Sequence, residues 1–461
     1  MKEWTKKIRA YALKNAVEHN GKAQESSVIS SLFHEGLKKE DVRRVIQDVK
    51  KIVSEINKLE LEEQEKEFSK LEKETSSRPE REGLQELPDI SKSMVLRLAP
   101  YPSGALHIGN AKTYLLNALY AEKYNARLLL IIDDTIGSEE KQVVKEAYDL
   151  IPEAFDWLKV KYEKPILYKS DRLEIYYKYA EELIKKGKSY VCFCSSEKLR
   201  ENRSKGIECE HRKQGAEETM KEWKKMFKMK EGQAILRIKT NMQDKNPAFR
   251  DRVLFRISER EHVRVKKKYK VWPLLEFSWA IDDHLLGITH IIRGKDLMME
   301  SEMEKYIWNI FSWKQPELLH AGMIKIEGME AKISKSKAQK EVKEGKFSGW
   351  DDPRTWSIQS LRKRGFQAEA IRKFVEDIGL NQNDISVPID VLYAINRKLL
   401  HEIAEKVECK ENKKGKFTVV FEDASEKRFD ADIKAKEGEI VHFIGIGYTR
   451  FDGKKFYFAH P

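Results

Sequence analysis

Three small constellations in this chain have residue types and spacings that could do chemistry. His107-Ile-Gly109-Asn110 follows a glycine turn at Gly104 and opens a stretch of helical periodicity. A helix N-terminus carries unsatisfied backbone N–H groups and a partial positive charge, so phosphate binds well there. His107 and Asn110 lie one helical turn apart and can both donate to phosphoryl oxygens, although the tetrapeptide alone fits a packed or surface histidine equally well. Lys332-Ile-Ser334-Lys335-Ser336 comes 225 residues after His107, and two lysines at i and i+3 with serines between them suit a loop that closes over phosphates. Cys192-Phe-Cys194 and Cys209-Glu-His211 form a C-x-C…C-x-H set with 14 residues between the pairs. Thiolates and imidazole at that spacing suit a tetrahedral structural zinc; buried free thiols are the alternative. Cys409 stands apart and reads as a core thiol.

The elements around these residues decide whether they can meet. Met94–Ala99 reads as a short strand, Pro100-Tyr-Pro-Ser-Gly as a turn, and His107–Tyr124 as a helix, followed by the apolar run Arg127–Asp133. Strand, loop, helix and buried strand make a βαβ unit, whose ligands sit beyond the carboxyl ends of its strands. Asp133 and Asp134 fall at such an end. A helix is expected from Ser170, as N-cap, to Lys186, and alternating segments at Ala234–Lys239 and Val253–Ser258 suggest an inserted α+β module. Strand-like runs at Gly287–Gly294 and Leu318–Ile326 flank a helix at Met298–Phe311, as the second half of a parallel sheet would. The first 75 or so residues have helical spacing, with a linker from Ser76 to Ser93. Short strands around Phe417, Phe429, Val441 and Phe456, with a turn at Asp452-Gly453, point to a small C-terminal β-barrel.

Composition narrows the class. The 461 residues carry 88 Lys plus Arg against 76 Asp plus Glu, a net charge of +12, which favours a polyanionic partner such as nucleic acid. The apolar run Leu128–Ile132 is far below the ~20 residues that cross a bilayer. No apolar segment follows the first residues, and four cysteines make no disulfide framework, so a cytoplasmic protein without membrane partners is expected.

Taken together, the segments at 107–110 and 332–336 resemble the HIGH and KMSKS motifs of class I aminoacyl-tRNA synthetases. The resemblance extends through Arg97-Leu-Ala-Pro, Gly104-Ala-Leu-His-Ile-Gly, Asp282-Asp-His-Leu-Leu-Gly-Ile-Thr-His-Ile-Ile-Arg293-Gly-Lys295, Gly349-Trp-Asp-Asp-Pro-Arg354 and Leu361-Arg-Lys-Arg-Gly-Phe366. These resemble the glutamyl/glutaminyl subgroup in its archaeal or eukaryotic form. The resemblance implies a multidomain α/β protein. Residues 1–90 would be an N-terminal helical region and linker. Residues 91–190 and 271–325 would be the halves of a Rossmann-like catalytic domain. Residues 191–270 would be an inserted module gripping the tRNA acceptor end, 326–385 the lysine loop and a helical connection, and 386–461 a single β-barrel on the anticodon side.

The same resemblance implies activation of glutamate by ATP with Mg²⁺, then transfer to the 3′ end of tRNA(Glu), with tRNA(Gln) as a further acceptor. A glutaminyl enzyme and an inactive RNA-binding paralogue are the competing readings. Gly104, His107, Gly109, Asn110, Lys332, Ser334 and Lys335 would serve ATP, with His107, Asn110, Lys332 and Lys335 catalytic. Arg97 and Arg293 would face the substrate, since a guanidinium fork pairs both oxygens of a carboxylate, and Asp133 would hold the α-ammonium group. Relatives often bind zinc with ligands like Cys192, Cys194, Cys209 and His211. Leu275, Ile131 and Tyr101 depart from the family pattern toward a more apolar pocket. The stretch Arg203–Lys270, including Arg264-Val-Lys-Lys-Lys268, and the barrel residues Lys410, Lys413, Lys414, Lys416, Lys454 and Lys455 would meet RNA. The family expects a second, distal barrel, for which residues 386–461 leave no room, and reduced anticodon reading would follow. A monomer is expected.

Overall fold

The computed structural model describes residues 2–18, 21–37, 41–75, 83–90, 93–137, 142–327 and 335–461. The chain divides into two compact units at Glu82/Gly83. The first unit holds helices α1 (Lys2–Glu18), α2 (Glu25–His34), α3 (Val42–Ile56) and α4 (Leu61–Leu71). Their apolar faces meet at Ile8, Leu13, Val28, Val49 and Ile52. Gln64, fully buried, ties the unit by donating from Nε2 to the carbonyls of Gly21, Ile56 and Leu59.

The second unit begins with β1 (Val95–Leu98), α5 (Ile108–Lys123), β2 (Arg127–Ile132), α6 (Ala147–Trp157), β3 (Glu163–Tyr168) and α7 (Leu173–Lys185). Helix α7 starts after the expected position, because Ser170 does not cap it: its N–H and Oγ–H both donate to Asp134. The inserted module follows, with β4 (Ser189–Cys192), α8 (Ser196–Lys205), α9 (Ala216–Met226), β5 (Ile235–Ile238), β6 (Val253–Ile257) and β7 (Val271–Pro273) in one antiparallel sheet. Next come α10 (Leu275–Leu285), β8 (His290–Gly294), α11 (Met298–Phe311) and β9 (Glu317–Ala321).

Strands β3, β2 and β1 pair in parallel, as do β8 and β9. Thr289 joins the two ladders, its N–H donating to Val95 O and its Oγ accepting from Val95 N–H. The resulting order β3-β2-β1-β8-β9 reverses direction between β1 and β8, where an open parallel sheet places its ligand crevice. Buried on both faces, β2 reads as the unbroken run Leu128–Ile132.

The run Leu318–Ile326 is not one strand. It breaks at Gly322, after which β10 (Ile324–Glu327) leaves the central sheet. A Cβ on Gly322 would lie 2.0 Å from the carbonyl oxygen of Asn383, so only glycine permits that crossing. Helices α12 (Lys335–Lys343), α13 (Ile358–Arg364) and α14 (Ala368–Ile378) precede β11 (Ile385–Pro388), which pairs with β10, and α15 (Ile389–Leu400). The barrel comprises β12 (Glu405–Glu408), β13 (Lys410–Glu411), β14 (Phe417–Val420), β15 (Glu426–Asp430), β16 (Ile440–Ile444), β17 (Gly447–Phe451) and β18 (Phe456–His460). Its order, β12-β16-β17-β18-β14-β15-β13, begins and ends on consecutive strands, so the sheet nearly closes. Cys409 sits at that seam, half-buried and packed against the edge of the barrel core. Arg364 docks α13 on the barrel by donating to the carbonyls of Phe458 and Ala459.

Candidate active site

A cavity of about 1100 Å³ opens at the carboxyl ends of β1, β2, β8 and β9. Its nucleotide-like end is built on the start of α5. His107 is the N-cap, and a reciprocal pair holds it: Asn110 N–H donates to His107 Nδ1 at 3.3 Å, while His107 N–H donates to Asn110 Oδ1 at 3.0 Å. With Nδ1 accepting, the ring proton sits on Nε2, and the Asn110 amide keeps its NH₂ as a donor. His107, Gly109 and Asn110 all line the cavity. Gly104 does not. Its φ is +138°, and a Cβ there would lie 2.2 Å from the Trp350 indole, so its role is to let the Gly349-Trp350 segment pack behind the turn.

Lys112, nearly fully buried one turn further along α5, also lines the cavity and donates from Nζ to Gly322 O at 3.0 Å. Burial lowers its pKa. Lys332 and Ser334 lie outside the described residues, as does the side chain of Lys335, whose backbone opens α12. The flanks are placed: Ile324, Lys325 and Ile326 before the lysine-serine segment, and Gln339 after it, line the same cavity as His107.

The opposite end of the cavity is densely charged. Arg97, at the end of β1, gives Nε–H and Nη2–H to the two oxygens of Asp283 at 2.5 and 3.0 Å. Arg293, at the end of β8, gives both terminal nitrogens to the two oxygens of Glu304 on α11. Both arginines line the cavity, but each already has a buried carboxylate partner, so neither is the uncompensated cation that the sequence suggests. Burial pushes Glu304 up to about 7, with Arg293 opposing.

Asp133 follows β2 and is almost fully buried. It accepts from Thr135 Oγ–H at 3.0 Å and from the Trp279 indole N–H at 2.9 Å. The Trp279 ring carries two cations on its π system: the Arg97 guanidinium 3.7 Å from its centroid and Lys169 Nζ 3.5 Å from it. Lys169 also donates to Ser278 Oγ at 2.7 Å and lies 3.5 Å from Asp133 Oδ2; burial lowers its pKa to about 8. Of the three departures from the family pattern, Tyr101 and Leu275 line the cavity. Ile131 instead faces the core with Leu173 and Tyr176, where it cannot alter the pocket's polarity.

Trp279, Lys169 and Glu304 carry no motif signal. Lys169 follows a strand, Glu163–Tyr168, whose alternation is too weak to announce it, and Glu304 meets Arg293 only because α11 folds back beside β8.

In the inserted module, Cys192, Cys194, Cys209 and His211 bring one donor atom each to within 4.8 Å of one another. Cys192 Sγ is 3.8 Å from Cys209 Sγ and 3.9 Å from His211 Nδ1, and Cys194 Sγ is 3.6 Å from His211 Nδ1. A tetrahedron with metal–sulfur bonds of ~2.3 Å and metal–nitrogen bonds of ~2.0 Å has edges of roughly 3.5–3.8 Å, so these donors fit zinc. Arg237 lies 3.8 Å from both Cys192 and Cys209 sulfurs, placed to offset thiolate charge. The hydrogen bond from Cys192 holds the Cys209 thiol well below its ordinary pKa.

The basic residues of this module divide. Arg203 donates to the carbonyls of Pro247 and Ala248, and Arg264 to Ser170 and Asp171, so both hold the fold together. Lys266, Lys267 and Lys268 are exposed, as are Lys410, Lys413, Lys414, Lys416 and Lys454 on the barrel. Lys455 is half-buried and pairs with Glu426. Among the described residues, no helix is long and apolar enough to cross a membrane.

A parallel sheet with strand order β3-β2-β1-β8-β9, a capped histidine at its first crossover helix and a charged crevice at its switch point define a nucleotide-activating class of enzyme. Residues 93–402 match the family model of the tRNA synthetases class I (E and Q), catalytic domain, and the chain belongs to this family of aminoacyl-tRNA ligases. Among its relatives, the protein named glutamate--tRNA ligase of Methanothermobacter marburgensis is 42% identical over 403 residues, covering 87% of this chain and 72% of that one. The protein of the same name from Pyrococcus furiosus is 44% identical over 407 residues, covering 86% and 70%. That from Methanobrevibacter smithii is 37% identical over 457 residues, covering 97% and 81%.

Proposed function

We propose that this chain activates glutamate with MgATP and transfers it to the terminal ribose of tRNA(Glu). An α-carboxylate oxygen of glutamate attacks the α-phosphorus, the bond from that phosphorus to the α,β-bridging oxygen breaks, and pyrophosphate leaves. A ribose hydroxyl then attacks the adenylate carbonyl, and AMP departs. Neither step needs a strong acid or base, so catalysis rests on positioning and on charge placed where it develops. His107 Nε2–H, the Asn110 amide and the first N–H groups of α5 would receive phosphoryl oxygens, with Lys332, Ser334 and Lys335 closing from the other side. Asp133 would receive the α-ammonium group, and Arg97 and Arg293 the carboxylate end. The observation that carries this reading is the shared cavity: the N-cap of α5, the approach to the lysine-serine segment and both arginines border one space.

Zinc at Cys192, Cys194, Cys209 and His211 would be structural, cross-linking the end of β4 to the segment that follows α8. The exposed lysines of the insert and barrel would contact RNA phosphates, which fix register without reading sequence. Glutamine tRNA is therefore a second acceptor in this reading. Pyrophosphate exchange with glutamate and with glutamine, each with and without tRNA, tests the first step. Charging of purified tRNA(Glu) and tRNA(Gln) at equal concentration tests the second. Exchange with neither amino acid removes the proposal, and a strong preference for tRNA(Glu) removes its last part.

A further inference from the structure

Arg293 is 5% exposed and Glu304 fully buried, and they meet as a closed pair, one N–H from each terminal guanidinium nitrogen going to one carboxylate oxygen. The Nε–H of Arg293 is buried as well and has no acceptor among the described residues. Arg293 still borders the cavity, so a substrate must approach a cation whose charge is already matched. A second carboxylate brought to this guanidinium meets the first, and two carboxylates sharing one site resist joint ionisation. A neutral amide brought to the same place meets no such repulsion.

We propose that Glu304 is a positioning residue that sets amino-acid selectivity through Arg293, holding the side-chain end of the pocket neutral and so narrowing the preference for glutamate over glutamine. The inference rests on the placement of the substrate side chain at Arg293 given above. Glu304 is faced by Arg293 from β8, Arg97 from β1 and Asp283 from α10, with Glu300 on its own helix and His320 on β9 near Arg293. His320 is held below its ordinary pKa by burial and by Arg293, and it stays neutral near pH 7. Glu304, raised to about 7 by burial, titrates there. Its protonation should release Arg293 toward a substrate carboxylate.

The test is pyrophosphate exchange on the full chain, with KM for glutamate and for glutamine measured from pH 6 to 8. In the parent protein, KM for glutamate should fall several-fold from pH 8 to 6 while KM for glutamine stays flat. In Glu304→Gln, KM for glutamate at pH 8 should fall about tenfold, KM for glutamine should change less than twofold, and the pH dependence should disappear. Equal changes for both amino acids, or no change, overturn the proposal. If Glu304→Gln does not fold, the parent pH profile decides alone, a parallel profile for both amino acids counting against it. Arg293→Gln separates the two layers of argument. If it leaves KM for both amino acids unchanged, the placement of the substrate at Arg293 is wrong; if it raises KM for glutamate while Glu304→Gln does nothing, only the role of Glu304 is wrong.

Discussion

Replacing Trp279 by phenylalanine isolates one contact at the charged end of the cavity, where the amino acid is proposed to bind. The indole N–H donates to Asp133 Oδ2 at 2.9 Å within a buried cluster bordering the cavity, while the ring carries Arg97 and Lys169 at 3.7 and 3.5 Å from its centroid. Phenylalanine keeps an aromatic ring, and with it much of the cation–π attraction, but removes the donor. A hydrogen bond to a charged group contributes ~1.5–3 kcal/mol. Thr135 and Lys169 remain on Asp133, so the lower end of that range applies, and the loss takes the form of slack in the carboxylate. At an effective dielectric of 20, moving an ammonium–carboxylate pair from 4 to 5 Å costs ~0.8 kcal/mol. Together these give ~2 kcal/mol, or about thirtyfold in affinity for the α-ammonium group. Pyrophosphate exchange should therefore show KM for glutamate raised by at least tenfold, with KM for ATP changed less than twofold. Trp279→Ala should also destabilise the fold, by ~3–5 kcal/mol, because it empties a packed site. An unchanged KM for glutamate in Trp279→Phe, or equal losses for glutamate and ATP, would refute the assignment of Asp133 to the ammonium group.

Lys335→Ala should slow adenylation at least tenfold at saturating glutamate, since a lysine ~4 Å from a phosphate oxygen contributes a few kcal/mol where charge develops; an unchanged exchange rate removes its role. Metal analysis of the purified protein should find about one zinc per chain, and Cys209→Ser should lose it and lower Tm; a metal-free protein with unaltered Tm in the variant points to plain buried thiols. Burial lowers His460, packed against Tyr393 and hydrogen-bonded to Asn396, to about 4. Between pH 6.5 and 4 the unfolded chain then binds the extra proton, so stability is lost as pH falls through that window, by up to ~3 kcal/mol. Urea midpoints at pH 7 and 4.5 should diverge less in His460→Gln than in the parent; equal divergence assigns the acid sensitivity elsewhere.

Elements whose signals are local were legible in the sequence. The run Leu128–Ile132 is buried on both faces and reads as a parallel strand, and helix 298–311 lies where its periodicity placed it. Failures came where a distant partner overrode a local preference. Ser170 has the chemistry of an N-cap, but buried Asp134 takes both its donors and pushes the start of α7 downstream. The run from Leu318 to Ile326 reads as one strand, and its composition does not tell that the backbone at Gly322 passes so close to Asn383 that a Cβ would lie 2.0 Å from the Asn383 carbonyl oxygen.

The site divides in the same way, and the division explains what kind of information a motif holds. The pair His107 and Asn110 is self-contained, each capping the other across one turn, so four consecutive residues specify both the helix start and the donor geometry. The charged end is built by contact across elements: Arg97 with Asp283, Arg293 with Glu304, Asp133 with Trp279. A single arginine in sequence looks like a cation waiting for a carboxylate. In the fold that carboxylate is supplied internally, because a bare guanidinium at this depth costs several kcal/mol unless it is paired. Charge at the bottom of a crevice must therefore be read as a sum over partners, which is why the proposed selectivity rests on the residue that completes the pair as much as on the arginine that the motif contains.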